Sequence, residues 1–368
     1  MPTFVHTADV HFDTPFSARF SPRQAALRRK EIMQTFQTIV NRAKECDFFL
    51  ISGDLFDGRY ISMETISFLK RCFSEMSKTQ VLIAAGNHDP LTASSPYMTE
   101  KWGENVHIFN TAGCYFDFPS LETRIHGRSF SESHHEYTLL SSLDFAEGWN
   151  NILVIHGEVV ASGGKSDYNP LEKPLLESCR ADYAALGHIH QYSKLQKIGN
   201  TCYAYPGIPE GRGFDEEGEK GYIEGEIENG QVTIRWIPVN RRCFRHIKVD
   251  LTGVEDGILI PEKIKQALEK AGSADDLYKI SLIGRLPQEF VQIDFIQNEL
   301  AGRAFYLELC NDTMPDYHFE DIAKENSLRG AFVSEMLKRM QEMPAEEQEM
   351  GRRALIIGLR AMEGGESR

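Results

Sequence analysis

A chain of 368 residues is longer than one ordinary domain, and 41% hydrophobic with 26% charged residues describes a globular protein of two or three domains. The net charge of −14 argues against a coat held on nucleic acid by bulk positive charge, but not against an enzyme whose local charge comes from bound metal ions. Seven scattered cysteines without a CxxC pair argue against a disulfide framework or a thiolate zinc site.

The N-terminus, Met1 to Asp9, has neither a basic region nor a long apolar one, so no signal peptide is expected. No apolar run approaches the roughly 18 residues of a membrane span, and a cytoplasmic protein is the expectation. Apolar runs at residues 3–8, 48–52 and 81–85 predict buried strands, with helical spacing at 22–45 and 62–77 between them. Residues 151–155 and 183–186 continue the strand series. Strands alternating with helices predict an α/β sheet with mainly parallel pairing. The pattern then changes: 193–198, 201–205, 221–227 and 231–239 read as short strands split by Gly, Pro and Asn, which predicts antiparallel meanders.

A polar, arginine-rich stretch at 240–243 marks a boundary. Beyond it come a strand at 244–251, a helix at 261–270, a strand at 277–283, a helix at 287–300 and a strand at 304–309. This βαβαβ unit suits a small second domain. From Glu320 the pattern is helical, with Leu328, Phe332, Val333, Met336, Leu337 and Met340 on one stripe. Met343-Pro344 then opens another helix carrying Leu355, Ile356, Leu359 and Met362. The expected division is 1–243, 244–311 and 312–368.

Five polar clusters stand at the ends of predicted strands: Asp9-Val10-His11, Gly53-Asp54-Leu55-Phe56-Asp57, Gly86-Asn87-His88-Asp89, His156-Gly157 and Gly187-His188-Ile189-His190. Ligands of open α/β sheets gather outside the carboxyl ends of the strands. Carboxylate, imidazole and amide oxygen without thiolate suit hard-to-borderline divalent ions. Each pattern alone occurs by chance; five in this order, each behind a strand, are specific.

Together these motifs resemble the calcineurin-like metallophosphoesterase superfamily. His6-Thr7-Ala8-Asp9-Val10-His11-Phe12-Asp13-Thr14-Pro15-Phe16, with the glycine- and glutamate-rich stretch from Tyr205 to Gly221, is similar to the SbcD-type DNA repair exonucleases, and within them to the bacterial YhaO-like branch. The resemblance implies a β-sandwich flanked by helices, followed by a capping domain and C-terminal helices. It implies a dinuclear centre, usually of Mn²⁺, in which Asp9, His11, Asp54 and His190 hold one ion and Asp54, Asn87, His156 and His188 the other. Asp54 is then the bridge. His88 is expected to protonate the leaving oxygen or to hydrogen-bond a charged phosphate oxygen, oriented by Asp57. The archaeal and eukaryotic nucleases of the group tend to carry histidine at the Asp57 position, whereas the serine/threonine phosphatases carry aspartate. The same Asp57 also suits a helix-start cap before Ile61.

Other residues carry weaker signals. His6 reads as a hydrogen-bonded core histidine, His134 and His135 as solvated, and Asp13 as a turn or supporting residue rather than a ligand. His107, His126, His246 and His318 have no partner spacing. Arg59 and Arg212 are candidate phosphate contacts, against the commoner fate of a surface arginine. The Gly/Ser loop 161–166, with Lys165, suits a phosphate contact and a plain connection equally. The resemblance also implies that the C-terminal helices dock on an SbcC-like SMC-type ATPase, with Met336, Met340, Met343 and Met350 as an adaptable face. Packing on the chain's own domain is the usual fate of such a stripe. The expected function is metal-dependent exonuclease or endonuclease action on DNA in repair. The alternatives are a phosphodiesterase or phosphatase for a nucleotide or other small phosphoester, and a catalytically idle scaffold for DNA and the ATPase. Oligomeric state, a homodimer included, is left open.

Overall fold

The computed structural model describes residues 1–58, 60–140, 145–286 and 291–362. The chain divides into two compact units, Met1–Phe244 and Arg245–Arg368.

In the first unit, β1 (Thr3–Thr7), α1 (Pro22–Ala43), β2 (Phe48–Ser52), α2 (Met63–Ser74) and β3 (Gln80–Ala84) alternate as the sequence predicts. Helix α1 begins at a capping box in which Ser21 and Gln24 satisfy each other's backbone, with Pro22 in the first turn. Ser62 caps α2. The short α3 (Pro96–Thr99) leads to β4 (Val106–Ile108), β5 (Cys114–Phe118) and β6 (Thr123–Arg128). These three strands are not among the expected ones; β5 is half-exposed, and no single apolar run marks them. Next come β7 (Asn150–His156), β8 (Glu158–Val160), β9 (Pro170–Glu172), α4 (Lys173–Ser178) and β10 (Tyr183–Gly187). The unit ends with β11 (Gln196–Ile198), β12 (Thr201–Ala204), β13 (Gly221–Glu228) and β14 (Gln231–Pro238).

The expected β-sandwich is present, with parallel pairs running through β1–β4 and through β6, β7, β10 and β12, and with the expected antiparallel hairpins at β11–β12 and β13–β14. There are two mixed six-stranded sheets, ordered β14-β13-β1-β2-β3-β4 and β11-β12-β10-β7-β6-β5. Strand β13 returns antiparallel to β1, while β12 runs parallel to β10, so the predicted meander region is shared between both sheets. The predicted strand 193–198 starts only at Gln196. The driving force is burial: Phe4, Phe48, Leu50 and Leu82 of one sheet meet Ile125, Ile152, Val154 and Tyr183 of the other, with Ile223 and Ile227 of β13 completing the core. On the outer face of the first sheet, the Phe36 ring of α1 lies 5.8 Å from Phe49 and 6.5 Å from Phe73.

The second unit follows the βαβαβ order: β15 (Phe244–Asp250), α5 (Ile260–Ala271), β16 (Leu277–Ile283), the two-residue β17 (Arg285–Leu286), α6 (Ile293–Glu299) and β18 (Tyr306–Asn311). Its main sheet is ordered β15-β16-β18, with β16 and β18 parallel. The predicted helix 287–300 is observed from Ile293; positions 287–290 lie outside the described residues. After β19 (Met314–Pro315) come α7 (Phe319–Ile322), α8 (Leu328–Glu342) and α9 (Ala345–Met362). Val333, Leu355 and Leu359 are fully buried with Ile322, and Phe332, Met336 and Leu337 pack against them. The predicted docking stripe is therefore partly covered by its own chain, with Val333 buried and Phe332, Met336, Leu337 and Met340 half-buried, because two facing amphipathic helices bury more apolar area together than apart. Leu328, Met350, Ile357 and Met362 remain exposed. No helix among the described residues is long and apolar enough to cross a membrane.

Candidate active site

Five strand ends converge on one side of the sandwich. β1, β2 and β3 are parallel neighbours that deliver Asp9, Asp54 and Asn87 just beyond their carboxyl ends. In the other sheet β7 ends on His156, paired with Gly187 of β10, and His188 follows. The loops are cross-braced: Asp9 N–H donates to Gly53 O, and His11 N–H to Asp54 O, each at 3.0 Å. The backbones of Asp9, His11, Asp54 and His188 take φ values of 53°, 52°, 51° and 106°. That left-handed region costs a non-glycine residue about 1–3 kcal/mol and persists where surrounding structure enforces it, often at functional sites. Two glycines in the motifs have steric reasons. A Cβ at Gly53, itself at φ +91°, would enter the His156 ring, and one at Gly86 would strike the Asp54 carboxylate.

The buried carboxylates and rings form overlapping groups. Asp9, His11 and His190 make one, and Asp9, Asp54 and His156 another. Asp54 Oδ2 lies 3.8 Å from His11 Nε2 and 3.5 Å from His156 Nε2, so a single carboxylate faces both. Its acidity is raised: burial opposes this, but His156, His11 and His88 around it prevail. Asn87 Oδ1 stands 2.9 Å from His156 Nε2, and His190 Nε2 is 3.4 Å from His11 Nε2. The His188 ring is 5.3 Å, centroid to centroid, from His156, and its backbone N–H donates to the Asp9 carboxylate at 3.1 Å. Burial, reinforced by His156, lowers the His188 pKa to about 4, which favours the neutral ring and its one nitrogen lone pair for coordination.

His88 and Asp57 lie beside these groups. Asp57 Oδ1 is 3.0 Å from His88 Nδ1. That hydrogen bond raises the imidazole's pKa against the opposing effect of burial. Asp57 is not a helix-start cap, since Ser62 caps α2 and the Asp57 carboxylate is turned toward His88.

Residues 2–192, more than half the chain, match the family model described as Calcineurin-like phosphoesterase. The chain belongs to this family. As a calcineurin-like phosphoesterase it is a member of a hydrolytic, divalent-metal-using family. It is 28% identical over 281 residues to a Bacillus subtilis (strain 168) protein described as uncharacterized metallophosphoesterase YhaO, spanning 73% of this chain and 68% of that one. It is 26% identical over 314 residues to the DNA double-strand break repair protein Mre11 of Methanopyrus kandleri, spanning 73% and 68%. To the SbcD component of the SbcCD nuclease from Staphylococcus epidermidis it is 25% identical over 295 residues, spanning 71% and 75%. The SbcD-type resemblance read from the motifs is borne out by these relatives.

The donors fit cations on physical grounds. The His156 Nδ1–H donates to Ser52 O at 2.9 Å, which leaves Nε2 as a lone pair aimed at the oxygens of Asn87 and Asp54. A buried lone pair facing two oxygen acceptors is unfavourable unless a positive charge lies between them. Oxygen and nitrogen donors without sulfur suit Mn²⁺, Fe²⁺ or Zn²⁺.

The remaining candidates fall as follows. His6 is a core histidine, as expected: its Nδ1 is 2.9 Å from Tyr183 Oη, and its Nε2 is 3.1 Å from Ser52 Oγ. Asp13 accepts from Ser62 N–H and Oγ–H at 2.8 and 3.1 Å, a supporting role at the start of α2. Arg212 enters the site, with Nη1 3.8 Å from Asp57 Oδ1 and Nη2 3.5 Å from Glu216 Oε1. Arg59 lies outside the described residues. His134 is exposed, but His135 is half-buried, its ring edge-on to Phe130 at 4.9 Å, which corrects the solvated reading. In loop 161–166, Gly163 N–H donates to Glu172 at 2.8 Å.

Three residues outside the expected set also shape the site. Asp89 accepts from the backbone N–H of Leu55, Phe56 and Gly86 and from the Tyr97 hydroxyl, tying the loops after β2 and β3 together. Burial, with Asp54 nearby, lifts its pKa to about 6. Asn169 Nδ2–H donates to His156 O at 2.6 Å. Glu216 Oε1 is 2.6 Å from His190 Nδ1. Asp89 closes the Gly86-Asn87-His88-Asp89 motif and is visible there; Asn169 and Glu216 have no motif spacing to their partners.

Proposed function

We propose that this chain is a dinuclear, Mn²⁺-dependent DNA exonuclease or endonuclease acting in cytoplasmic DNA repair with an SbcC-like SMC-type ATPase. The observation that carries the reading is Asp54: one buried carboxylate oxygen facing His11 at 3.8 Å and His156 at 3.5 Å, with the Asp57–His88 pair beside it. Asp9, His11, Asp54 and His190 would hold one ion, and Asp54, Asn87, His156 and His188 the other. When bound, such a pair supplies positive charge to a phosphodiester and a nucleophilic water at neutral pH.

The chain's own groups do the rest. Asp57 fixes His88 through Nδ1, which leaves Nε2 to deliver a proton to the leaving oxygen. His88 remains 43% exposed, so its proton can be replaced from solvent. Arg212, held between Asp57 and Glu216, offers N–H groups to a non-bridging phosphate oxygen. The relatives named for DNA break repair and for the SbcCD nuclease support DNA as substrate and an SbcC-like partner. Residues 244–311 would then serve as the capping domain and 312–368 as the docking region, through the side chains that α8 and α9 leave exposed.

A second reading, hydrolysis of a nucleotide or other small phosphoester, is favoured by one observation. The cleft of about 680 Å³ beside His88 is lined by Thr92, Ser94, Ser131, Glu132, Ser133, His134 and Tyr168, with no lysine or arginine among the described residues of its wall. Competition separates the two. With Mn²⁺ and bis-p-nitrophenyl phosphate as reporter, the nuclease reading expects short duplex DNA to inhibit at far lower concentration than mononucleotides. Equal or stronger inhibition by the mononucleotide would select the second reading.

A further inference from the structure

We propose that Glu216 is a positioning residue that sets the metal affinity of the His190 site, by holding the His190 ring through Nδ1 on a mount locked into the core. The inference rests on the dinuclear reading and adds to it a residue that none of the five motifs contains.

Glu216 is almost fully buried and divides its two oxygens. Oε1 lies 2.6 Å from His190 Nδ1, and Oε2 accepts the Arg212 backbone N–H at 2.6 Å. A carboxylate accepts only, so Nδ1 carries the hydrogen and Nε2 is left as the lone pair. That Nε2 faces His11 Nε2 at 3.4 Å and Asp9 Oδ1 at 3.8 Å, within the group of Asp9, His11 and His190. A carboxylate behind a metal-binding histidine fixes the tautomer and ring orientation and raises ligand basicity.

The segment that carries Glu216 is anchored at several points. Ile208 N–H donates to His190 O at 3.1 Å, and Trp236 Nε1–H to Pro206 O at 3.0 Å. Arg28 of α1, fully buried, donates to Glu210 Oε1 at 2.9 Å and to Gly211 O at 2.8 Å. Glu210 Oε2 accepts from the Thr35 hydroxyl and the Arg241 N–H, both at 2.8 Å. A buried ionic network thus ties the loop at Glu210 and Gly211 to α1, and the same loop carries Glu216 on to the site. A mount of this kind holds a ligand ring in place before the ion arrives, so the entropy of ordering it does not weaken binding.

The test uses the full chain, stripped with chelator and titrated with Mn²⁺ in a calorimeter. Wild type is expected to bind two ions. Glu216→Ala should weaken one of the two by ~10–100-fold and leave the other near its wild-type value. Glu216→Gln keeps an oxygen acceptor without its charge and should fall between them; it also carries the test should the alanine variant not fold. A ¹⁵N-histidine spectrum, with His190 assigned through His190→Gln, should show the Nδ1–H tautomer in wild type and a loss of that tautomer in Glu216→Ala. Glu210→Gln cuts the mount away from the site, and it should lower the melting temperature more than either Glu216 variant. Two unchanged affinities in a folded Glu216 variant, or both weakened alike, would overturn the proposal. Wild type binding fewer than two ions would instead overturn the dinuclear reading beneath it.

Discussion

Asp57 and His88 share a 3.0 Å hydrogen bond from Nδ1 to Oδ1, and the same carboxylate oxygen lies 3.5 Å from His11 Nδ1 and 3.8 Å from Arg212 Nη1. Burial works against ionisation of Asp57, but the nearby His11 ring and the hydrogen bond with His88 hold it well below the usual carboxylate range. One charged oxygen therefore orients the proton donor while standing next to a metal-ligand candidate. His88→Ala should reduce turnover by ~10²–10⁴, and Asp57→Asn should move it in the same direction, both with metal content unchanged. Metal analysis beside steady-state rates checks this. Loss of metal in His88→Ala would make His88 a ligand.

Asp54 faces both halves of the donor set, so its substitution should be felt by both. Asp54→Asn keeps the shape and one oxygen but removes the charge that two cations would share. Mass-spectrometric metal counts should drop from two per chain toward zero or one, with activity falling in parallel. Retention of two ions and full rate would exclude Asp54 as the bridge.

His6 gives a pH effect away from the site. Ser52 Oγ–H donates to Ala185 O, so His6 Nε2–H donates to Ser52 Oγ, and His6 Nδ1 accepts from Tyr183 Oη–H. This neutral, fully buried ring is held near pKa 3 by desolvation, against an ordinary 6.5. Between those values the unfolded chain binds a proton that the folded one does not. The contribution is thus complete above pH 6.5 and is lost as pH falls toward 3, at up to about 1.4 kcal/mol per pH unit. Urea midpoints from pH 7.5 to 4.5 should decline less steeply in His6→Gln than in wild type. Equal slopes would contradict the assignment.

The C-terminal helices separate into buried and exposed positions. Leu355 and Leu359 are fully buried with Val333, so Leu355→Ala should cost ~2–5 kcal/mol and lower the second unit's melting temperature. Leu328 and Met350 are 79% and 71% exposed, and Leu328→Asp or Met350→Asp should leave the melt within ~0.5 kcal/mol of wild type. If these positions dock the ATPase, both aspartate variants should lose it in a pull-down while staying folded. Undiminished capture would remove α8 and α9 from the interface.

The metal-ligand candidates are legible in the sequence because each follows a buried strand within a few residues, and parallel strands place such ends side by side. Asn87 and Asp54 are neighbours in space for that reason alone. Glu216 is not legible: it reaches His190 across a 26-residue separation, and local pattern carries no information about that distance. The pairing of β13 with β1 escapes for a similar reason, since alternation along 221–227 specifies a strand but not its partner. The helical stripe of α8 is apolar as its spacing predicts. Its burial depends on α9, and amphipathicity alone does not say which surface covers it.

Nuclease action is tested most directly by end-labelled duplex DNA incubated with chelator-stripped protein to which Mn²⁺ is returned, run beside His88→Ala loaded with the same two ions. The expected result is Mn²⁺-dependent shortening or nicking of the label by wild type, abolished by chelator and reduced by ~10²–10⁴ in His88→Ala. Intact DNA in the wild-type lane, from protein that binds two ions and hydrolyses bis-p-nitrophenyl phosphate, would contradict it.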